Sequence, residues 1–232
     1  GDITLDPAVR YYGHRAKDGR LEINGNIYTS SNITATYGVA VQNRYTVLPV
    51  TEEVLLNSGY VVDMSNSSGS VGIQSLAGAR AVNKGKVIVG NSSSASAGIG
   101  ILAESSTTNL TSVVNDSGAV IEMPYAGIGI YLDSLELGGS VTNAGTISST
   151  QANALGIYAK MSSTGVLGAP ITAITNTGSI NLSDNGFGIF TDNSTITNSG
   201  NITVDNPGTN SIIAIYGGRN SIINNTGGNI SV

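Results

Sequence analysis

The sequence contains no cysteine, and this absence excludes disulfide bonds and cysteine-ligated metal sites. It contains one histidine, His14, which leaves too few nitrogen ligands for zinc and only one base for a serine or cysteine nucleophile. Phosphate-binding loops of the GxxxxGK[ST] type and calcium-binding GGxGxD repeats are also absent. We therefore expect no metal, no cofactor and no catalytic residues, which means a protein that is not an enzyme.

Charge and long apolar runs are also scarce. Charged residues make up 11% of the 232 residues, and the net charge is −5. A charge-poor, acidic surface argues against nucleic acid as a partner, because nucleic acid is bound through clusters of Lys and Arg. No apolar run approaches the ~20 residues that a membrane helix needs. Hydrophobic residues still reach 40% and recur at regular intervals, which predicts a folded chain.

A short phrase built on Asn, Gly and an aliphatic residue recurs along the chain. An Asn lies one to three residues before each glycine of the phrase, and Ile or Val follows two residues after it. The glycines lie 22 to 34 residues apart and are Gly25, Gly59, Gly85, Gly118, Gly145, Gly178, Gly200 and Gly228. Repeats of 20–50 residues are typical of solenoids, because one unit cannot bury its own apolar face.

A second phrase, aliphatic–small–aliphatic, follows each of the first seven glycines. It reads Val39-Ala40-Val41, Val71-Gly72-Ile73, Ile99-Gly100-Ile101, Ile128-Gly129-Ile130, Leu155-Gly156-Ile157, Phe187-Gly188-Ile189 and Ile213-Ala214-Ile215. Its alternation predicts a strand, and a weaker strand such as TAIT leads into Asn176. Three short strands per unit of about 29 residues predict an all-β fold, a parallel β-helix of about eight coils.

Stacked coils should place like residues above one another. The Asn amide can both donate and accept along such a stack, so we predict a structural ladder of asparagines. Its members are Asn57, Asn83, Asn143, Asn176 and Asn198. Glycine would supply the neighbouring turn, where a Cβ atom would obstruct the backbone.

The second phrase also predicts an outward-facing column. If the two aliphatics point inward, the small residue and the residue after the phrase point outward. The following residues are Gln42, Gln74, Leu102, Tyr131, Tyr158, Phe190 and Tyr216. The four aromatics of four consecutive coils have two interpretations. They stabilise the sheet by stacking, or they form a binding platform for sugar rings or for the edge of a partner protein.

The N-terminal stretch RYYGHRAKDGR, residues 10–20, holds four of the ten basic residues. Tyr11, Tyr12, His14 and Arg15 could form an anion or glycan contact, or the stretch could be a loop at the first coil. It contains no repeat phrase. We therefore predict an irregular N-terminal segment over 1–20 and a β-helix over 21–232, as a fragment of a longer protein.

Carbohydrate-cleaving enzymes are an alternative, because many are β-helices with clustered carboxylates. The candidates are Asp184, Asp192 and Asp205, all beside Asn in turn-like contexts. A hydrolase or lyase function therefore stays open as an alternative hypothesis.

The phrases VTNAGTI (141–147), ITNTGSI (174–180) and ITNSGNI (196–202), with AGIGIY (126–131) and ALGIYA (154–159), resemble a known family. They resemble the passenger domains of Gram-negative type V autotransporters, in particular large surface adhesins of the fusobacterial kind, over about residues 21–232. The resemblance implies a right-handed parallel β-helix displayed on the bacterial outer surface by a C-terminal β-barrel that this sequence does not contain.

The resemblance further implies a non-enzymatic segment of a virulence adhesin. Its expected partners are a host cell-surface protein or glycan, or the surface of another bacterium, and it is expected to be a monomer. Membrane association would come only through the barrel. A toxin subunit of the vacuolating autotransporter type is a further alternative.

Overall fold

The computed structural model describes residues 1–5, 12–17, 19–30, 33–34, 37–42, 52–106, 108–133, 138–160, 172–183, 185–205 and 212–232. Within these ranges the regular secondary structure consists of β-strands, and no α-helix is present. None of these residues belongs to a helix that could cross a membrane. The strands form a right-handed parallel β-helix, which confirms the predicted fold class.

Each of coils 1 to 7 contributes one strand to each of three parallel sheets, and coil 8 contributes described strands to the first two. We number the sheets in the order of the strands within a coil, beginning at Arg20–Ile23. Sheet 1 contains Arg20–Ile23, Glu53–Leu56, Arg80–Asn83, Thr111–Asn115, Gly139–Asn143, Thr172–Asn176, Ser194–Asn198 and Ile222–Asn225. These eight strands begin coils 1 to 8. Because every pairing is parallel and joins consecutive coils, each coil lies directly on the one before it.

Sheets 2 and 3 complete the coils. Sheet 2 contains Ile3–Leu5, Ile27–Thr29, Val61–Met64, Lys86–Val89, Val120–Met123, Thr146–Ser149, Ser179–Leu182, Asn201–Val204 and Ile230–Ser231. Sheet 3 contains Tyr12–Ala16, Tyr37–Gln42, Val71–Leu76, Gly98–Glu104, Gly127–Asp133, Leu155–Lys160, Phe187–Asp192 and Ile213–Gly218. A separate two-stranded pair joins Ile33–Thr34 to Ser67–Ser68.

The core is a set of stacked aliphatic columns. In sheet 2, for example, Ile121, Ile147, Ile180 and Ile202 pair in register, and each has no solvent-exposed surface. Burying one such side chain contributes about 1.5–3 kcal/mol, and most of that burial comes from the coils above and below. The register of the repeat phrase is therefore held by the core.

The N-terminal segment differs from the sequence-based expectation. Residues 1–20 were expected to be irregular, yet Ile3–Leu5 pairs with Ile27–Thr29, and Tyr12–Ala16 pairs with Tyr37–Gln42. These two strands lie before coil 1 and follow the register of sheets 2 and 3. The repeat phrase does not predict these strands, because the sequence beside them lacks the Asn-x-Gly pattern. They form nevertheless, since backbone pairing needs no particular side chain.

The glycines of the second phrase face the core, which corrects the outward orientation expected from strict alternation. A Cβ atom built on Gly100 or Gly129 would meet Ile121 Cγ2 or Ile147 Cγ2, both in the core of sheet 2, at 2.5 Å. The alternation breaks immediately after the glycine, since Gly129 and Ile130 are both buried. The first aliphatic of the phrase, such as Ile128, therefore lies on the outer face.

The phrase is also displaced by two residues in coil 1. Ile73 pairs with Val39 rather than with Val41, so Tyr37-Gly38-Val39 is the equivalent of Val71-Gly72-Ile73. Ala40 consequently occupies the outer column that was assigned to Gln42. Val39-Ala40-Val41 fits the aliphatic–small–aliphatic pattern better by residue type. The pairing instead follows Gly38, where a Cβ atom would contact the carbonyl oxygen of Gly72 at 2.7 Å.

Candidate functional site

The asparagine ladder is a structural element at the end of sheet 1. Its members close six consecutive strands and are Asn83, Asn115, Asn143, Asn176, Asn198 and Asn225. The Nδ2 of each asparagine donates to the Oδ1 of the next, at 2.7–2.8 Å. The first five side chains have no exposed surface. Buried amides that satisfy one another in this way stabilise the stack and offer nothing to a ligand.

Asn57 does not belong to this ladder, contrary to the sequence-based prediction. The ladder position in coil 2 is taken by Leu56, which pairs with Asn83. Asn57 lies one residue later and points to the outside, where its Nδ2 donates to Glu22 Oε1 at 2.6 Å and to Asn24 Oδ1 at 2.7 Å. Asn115 and Asn225 are the members that the prediction omitted.

The aromatic column lies on the outer face of sheet 3. Tyr131, Tyr158, Phe190 and Tyr216 pair in register in coils 4 to 7. Tyr131 stacks on Tyr158 with ring centroids 5.2 Å apart, and Phe190 stacks on Tyr216 at 4.6 Å. Tyr158 meets Phe190 edge to face at 5.6 Å. Because most ring faces are turned toward the next ring along the stack, the column presents mainly ring edges to solvent.

A second outward column runs beside the first, as a consequence of the broken alternation. Ile99, Ile128, Leu155, Phe187 and Ile213 pair in register and are partly exposed. Phe187 reaches the aromatic column, with its ring centroid 5.8 Å from that of Phe190. Together with Leu102 and the four aromatics, these residues form one apolar strip over coils 3 to 7, which we call the apolar face.

The N-terminal candidates lie on the same side of the molecule. Tyr12 continues the column of Ile99 and stacks on Tyr37 at 5.0 Å, and Arg15 continues the aromatic column. Arg15 lies with its guanidinium carbon 4.9 Å from the centre of the Tyr12 ring. His14 is exposed on this strand, and Tyr11 lies outside the described residues. The structure thus places Tyr12 and Arg15 on the outer face that carries Tyr131.

The two groups of candidates are separated by buried residues. Val71 and Gln74 of coil 2 lie between them in the two columns, and each is only 6% exposed. The exposed apolar face therefore begins at coil 3. Tyr12, Tyr37 and Arg15 form a smaller patch nearer the N-terminus.

A column of charged residues borders the apolar face, two residues beyond the aromatics. Glu104 pairs with Asp133, and Asp133 pairs with Lys160. Burial raises the pKa of the Glu104 carboxyl, and the neighbouring Asp133 carboxylate raises it further. Burial also raises the pKa of Tyr131 to about 12, with smaller contributions from Asp133 and Tyr158. Apolar packing at this edge therefore weakens solvation of the charged forms.

The described carboxylates among the catalytic candidates, Asp192 and Asp205, lie at different sheets and form no cluster. Asp192 ends a sheet 3 strand and has Gly218 as its neighbour in the next coil, whereas Asp205 follows a sheet 2 strand. Asp184 lies outside the described residues. Among the described residues no group of three or more His, Asp or Glu could hold a metal ion. The pair that does lie together, Glu104 and Asp133, was missed by the sequence analysis.

A signal for that pair exists in the sequence. Glu104 follows Leu102 by two residues, and Asp133 follows Tyr131 by two residues, so each lies on the outer face of the strand that carries the column. The signal is weak, because the carboxylates are 29 positions apart in the sequence and only the coil register brings them side by side.

Comparison with protein families assigns the fold to a class of bacterial surface domains. Residues 100–228 match the family described as the BigA third pectate lyase-like domain. Domains of this type belong to bacterial surface proteins. The match covers more than half of the chain and includes the entire aromatic column, so the chain belongs to this family. Neither the curated proteins nor the solved structures include a match to this chain.

Proposed function

We propose that this chain is a non-enzymatic segment of a bacterial surface adhesin, a passenger of the autotransporter type, and that its apolar face binds a partner protein on another cell. The observation that carries the proposal is the continuous outward strip of Ile, Leu, Phe and Tyr over five coils. Exposed apolar strips that are bordered by charged residues are typical of contact surfaces between proteins.

The ring geometry favours a protein over a glycan at this face. A sugar ring packs best on a free aromatic face, whereas Tyr131, Tyr158, Phe190 and Tyr216 turn most of their faces toward one another. Their edges and the aliphatic side chains of the neighbouring column remain accessible, and these suit the apolar side chains of a protein. The Glu104–Asp133 pair at the border favours a partner with a basic rim.

Binding to host cells by the folded domain tests the proposal. Tyr131, Tyr158, Phe190 and Tyr216 are changed together to Ser, and Tyr28→Ser serves as the matched control because Tyr28 is an exposed aromatic on sheet 2. We expect the control to bind normally and the fourfold variant to lose binding. Treating the cells with protease should abolish binding, whereas periodate oxidation of their glycans should not.

Two outcomes would overturn this assignment. A folded fourfold variant that binds like the unchanged domain would exclude the apolar face. Binding that is lost after periodate oxidation, survives protease and is also lost in the fourfold variant would show that the face takes a glycan. Circular dichroism of each variant separates loss of binding from loss of fold.

One observation favours an enzymatic alternative, cleavage of a polysaccharide. Glu104 and Asp133 lie in neighbouring coils beside Tyr131, and Tyr131 Oη donates to Asp133 Oδ2 at 3.4 Å. A carboxyl group with a raised pKa beside a second carboxylate is the pair that glycoside hydrolysis requires. Release of reducing ends from neutral and acidic polysaccharides, lost in Glu104→Gln and in Asp133→Asn, would establish this function in place of the first.

A further inference from the structure

The corner between sheets 1 and 2 has turns of unequal length. In coil 3 three residues, 84–86, separate Asn83 from the core residue Val87. The equivalent turns of coils 2 and 4 each contain five residues, 57–61 and 116–120, although their flanking strands remain in register. The two extra residues in each long turn therefore project outward, so that the short turn of coil 3 lies between two protruding turns.

The long turns are built alike and leave a gap between them. Each reverses direction at a glycine with positive φ, Gly59 at +83° and Gly118 at +78°. Each is closed by a backbone bond, from Tyr60 N to Asn57 O at 3.4 Å and from Ala119 N to Asp116 O at 3.0 Å. Coils 2 and 4 are two strand spacings apart, about 10 Å, so the missing layer at coil 3 leaves a slot.

This slot is a cavity of about 340 Å³, within the range of small-ligand sites. Gly85 forms its floor. A Cβ atom at Gly85 would lie 2.7 Å from the carbonyl oxygen of Asn57, so no side chain fills the floor. The remaining lining comes from the two long turns, with Ser58, Tyr60, Ser117 and Val120, and from the short turn, with Lys84 and Lys86.

The two lysines of the slot are each paired with a carboxylate that lies outside its lining. Lys84 Nζ lies 3.9 Å from Asp116 Oδ2, and Lys86 Nζ lies 2.6 Å from Glu122 Oε2. All four side chains are 39–45% exposed, so a ligand can reach them. The ammonium groups of Lys84 and Lys86 can donate to hydroxyl oxygens. Because each of them is already paired with a carboxylate, the slot offers little net positive charge to an anionic ligand.

We propose that this slot binds one neutral sugar unit, a hexose or an N-acetylhexosamine. Ser58 and Ser117 line the slot from the two long turns, Tyr60 and Val120 offer apolar contact for the sugar carbons, and the ammonium groups of Lys84 and Lys86 donate to the sugar's hydroxyl oxygens. The slot lies at the corner between sheets 1 and 2, whereas the apolar face lies on sheet 3. The slot is therefore a second site, separate from the apolar face.

Filling the missing layer is the sharpest test. Inserting Ser-Gly between Lys84 and Gly85 gives coil 3 the turn length of its neighbours, which this corner already accommodates twice. The matched control carries the same insertion between Thr177 and Gly178, in the three-residue turn of coil 6. A second variant, Lys84→Ala with Lys86→Ala, removes the donors and leaves the turn length unchanged.

Saturation-transfer NMR measures binding of methyl glycosides of glucose, galactose, mannose and N-acetylglucosamine, with glucuronic acid as the acidic comparison. We expect at least one neutral glycoside to bind, and both slot variants to weaken it about tenfold or more. The coil 6 insertion and the fourfold Tyr/Phe→Ser variant should bind it unchanged, which separates this site from the apolar face.

Three results would overturn the proposal: no neutral glycoside binds, glucuronic acid binds at least as tightly, or the lysine variant binds like the unchanged protein. Should the coil 3 insertion fail to fold, the lysine variant decides the question by itself.

Discussion

Each of the four inner ladder asparagines bonds to two other asparagines, so one substitution there affects three coils. Asn143 Nδ2 donates to Asn176 Oδ1 at 2.7 Å, and Asn143 Oδ1 accepts from Asn115 Nδ2 at 2.8 Å, all without solvent exposure. Asn143→Ala would leave a buried donor and a buried acceptor without these partners. We expect the free energy of unfolding to fall by about 2–4 kcal/mol, measured by urea unfolding followed by circular dichroism.

Asn57→Ala is the matched control for that experiment. Asn57 also makes two side-chain hydrogen bonds, but water can replace them because the residue is partly exposed. The expected loss is below about 1 kcal/mol. Equal losses in the two variants would show that burial does not set the strength of the ladder.

Tyr131 gives the apolar face a signature at high pH. Burial raises its pKa from 10.0 to about 12, so the folded state favours the neutral phenol. A raised pKa contributes stability that is complete below pH 10 and is lost as the pH rises through about 12. The phenolate absorbance of the unchanged protein minus that of Tyr131→Phe should therefore titrate near 12. A difference curve centred at 10 would mean that Tyr131 is solvated.

The inward glycine column of sheet 3 determines how closely this sheet approaches sheet 2. A Cβ atom at Gly129 would meet Ile147 Cγ2 at 2.5 Å and the carbonyl oxygen of Gly156 at 2.6 Å, and the carbonyl cannot rotate away. Gly129→Ala should lower the free energy of unfolding by about 1–3 kcal/mol through overpacking. Thr142→Ala, on the outer side of sheet 1 in the next coil, is the control and should change it little. Equal stability of the two variants would contradict the inward orientation.

The strands show which parts of the fold could be predicted from the repeats. The Asn-x-Gly and aliphatic–small–aliphatic phrases located the sheets of coils 2 to 8, because stacking forces like residues into like positions. The direction of Gly129 could not be predicted, since a local break places two consecutive residues, Gly129 and Ile130, on the inner side. The strand Tyr12–Ala16 was missed because backbone pairing alone holds it, without a repeat phrase.

The candidate sites were less predictable than the strands. The aromatic column follows from the repeat spacing, and the structure places its four members in register. The neighbouring column of Ile128 and Phe187 depends on the broken alternation and was therefore assigned to the core. The slot at Gly85 depends on a difference in length between neighbouring turns. Comparing the units for their similarities does not reveal such a difference.

At the scale of the whole molecule, different faces of one solenoid carry different chemistry. The apolar face lies on sheet 3 of coils 3 to 7, and the slot lies between sheets 1 and 2 of coils 2 to 4. Both can be occupied together, because a rigid stack keeps them on separate sides. An adhesin with a protein contact and a sugar contact would gain avidity without any change of shape.

A stack in which each coil contacts mainly its neighbours should also lose stability locally. Asn143 lies in coil 5, and its hydrogen bonds reach Asn115 of coil 4 and Asn176 of coil 6. Hydrogen exchange measured by mass spectrometry reports the local opening of each coil, and we expect slow amides in coils 4 to 6 of the unchanged protein. In Asn143→Ala the slow amides of coils 4 to 6 should accelerate more than those of coils 1 and 2. An equal acceleration in all coils would mean that the solenoid opens only as a whole, because nearest-neighbour coupling alone cannot carry a change in coil 5 undiminished to coil 1.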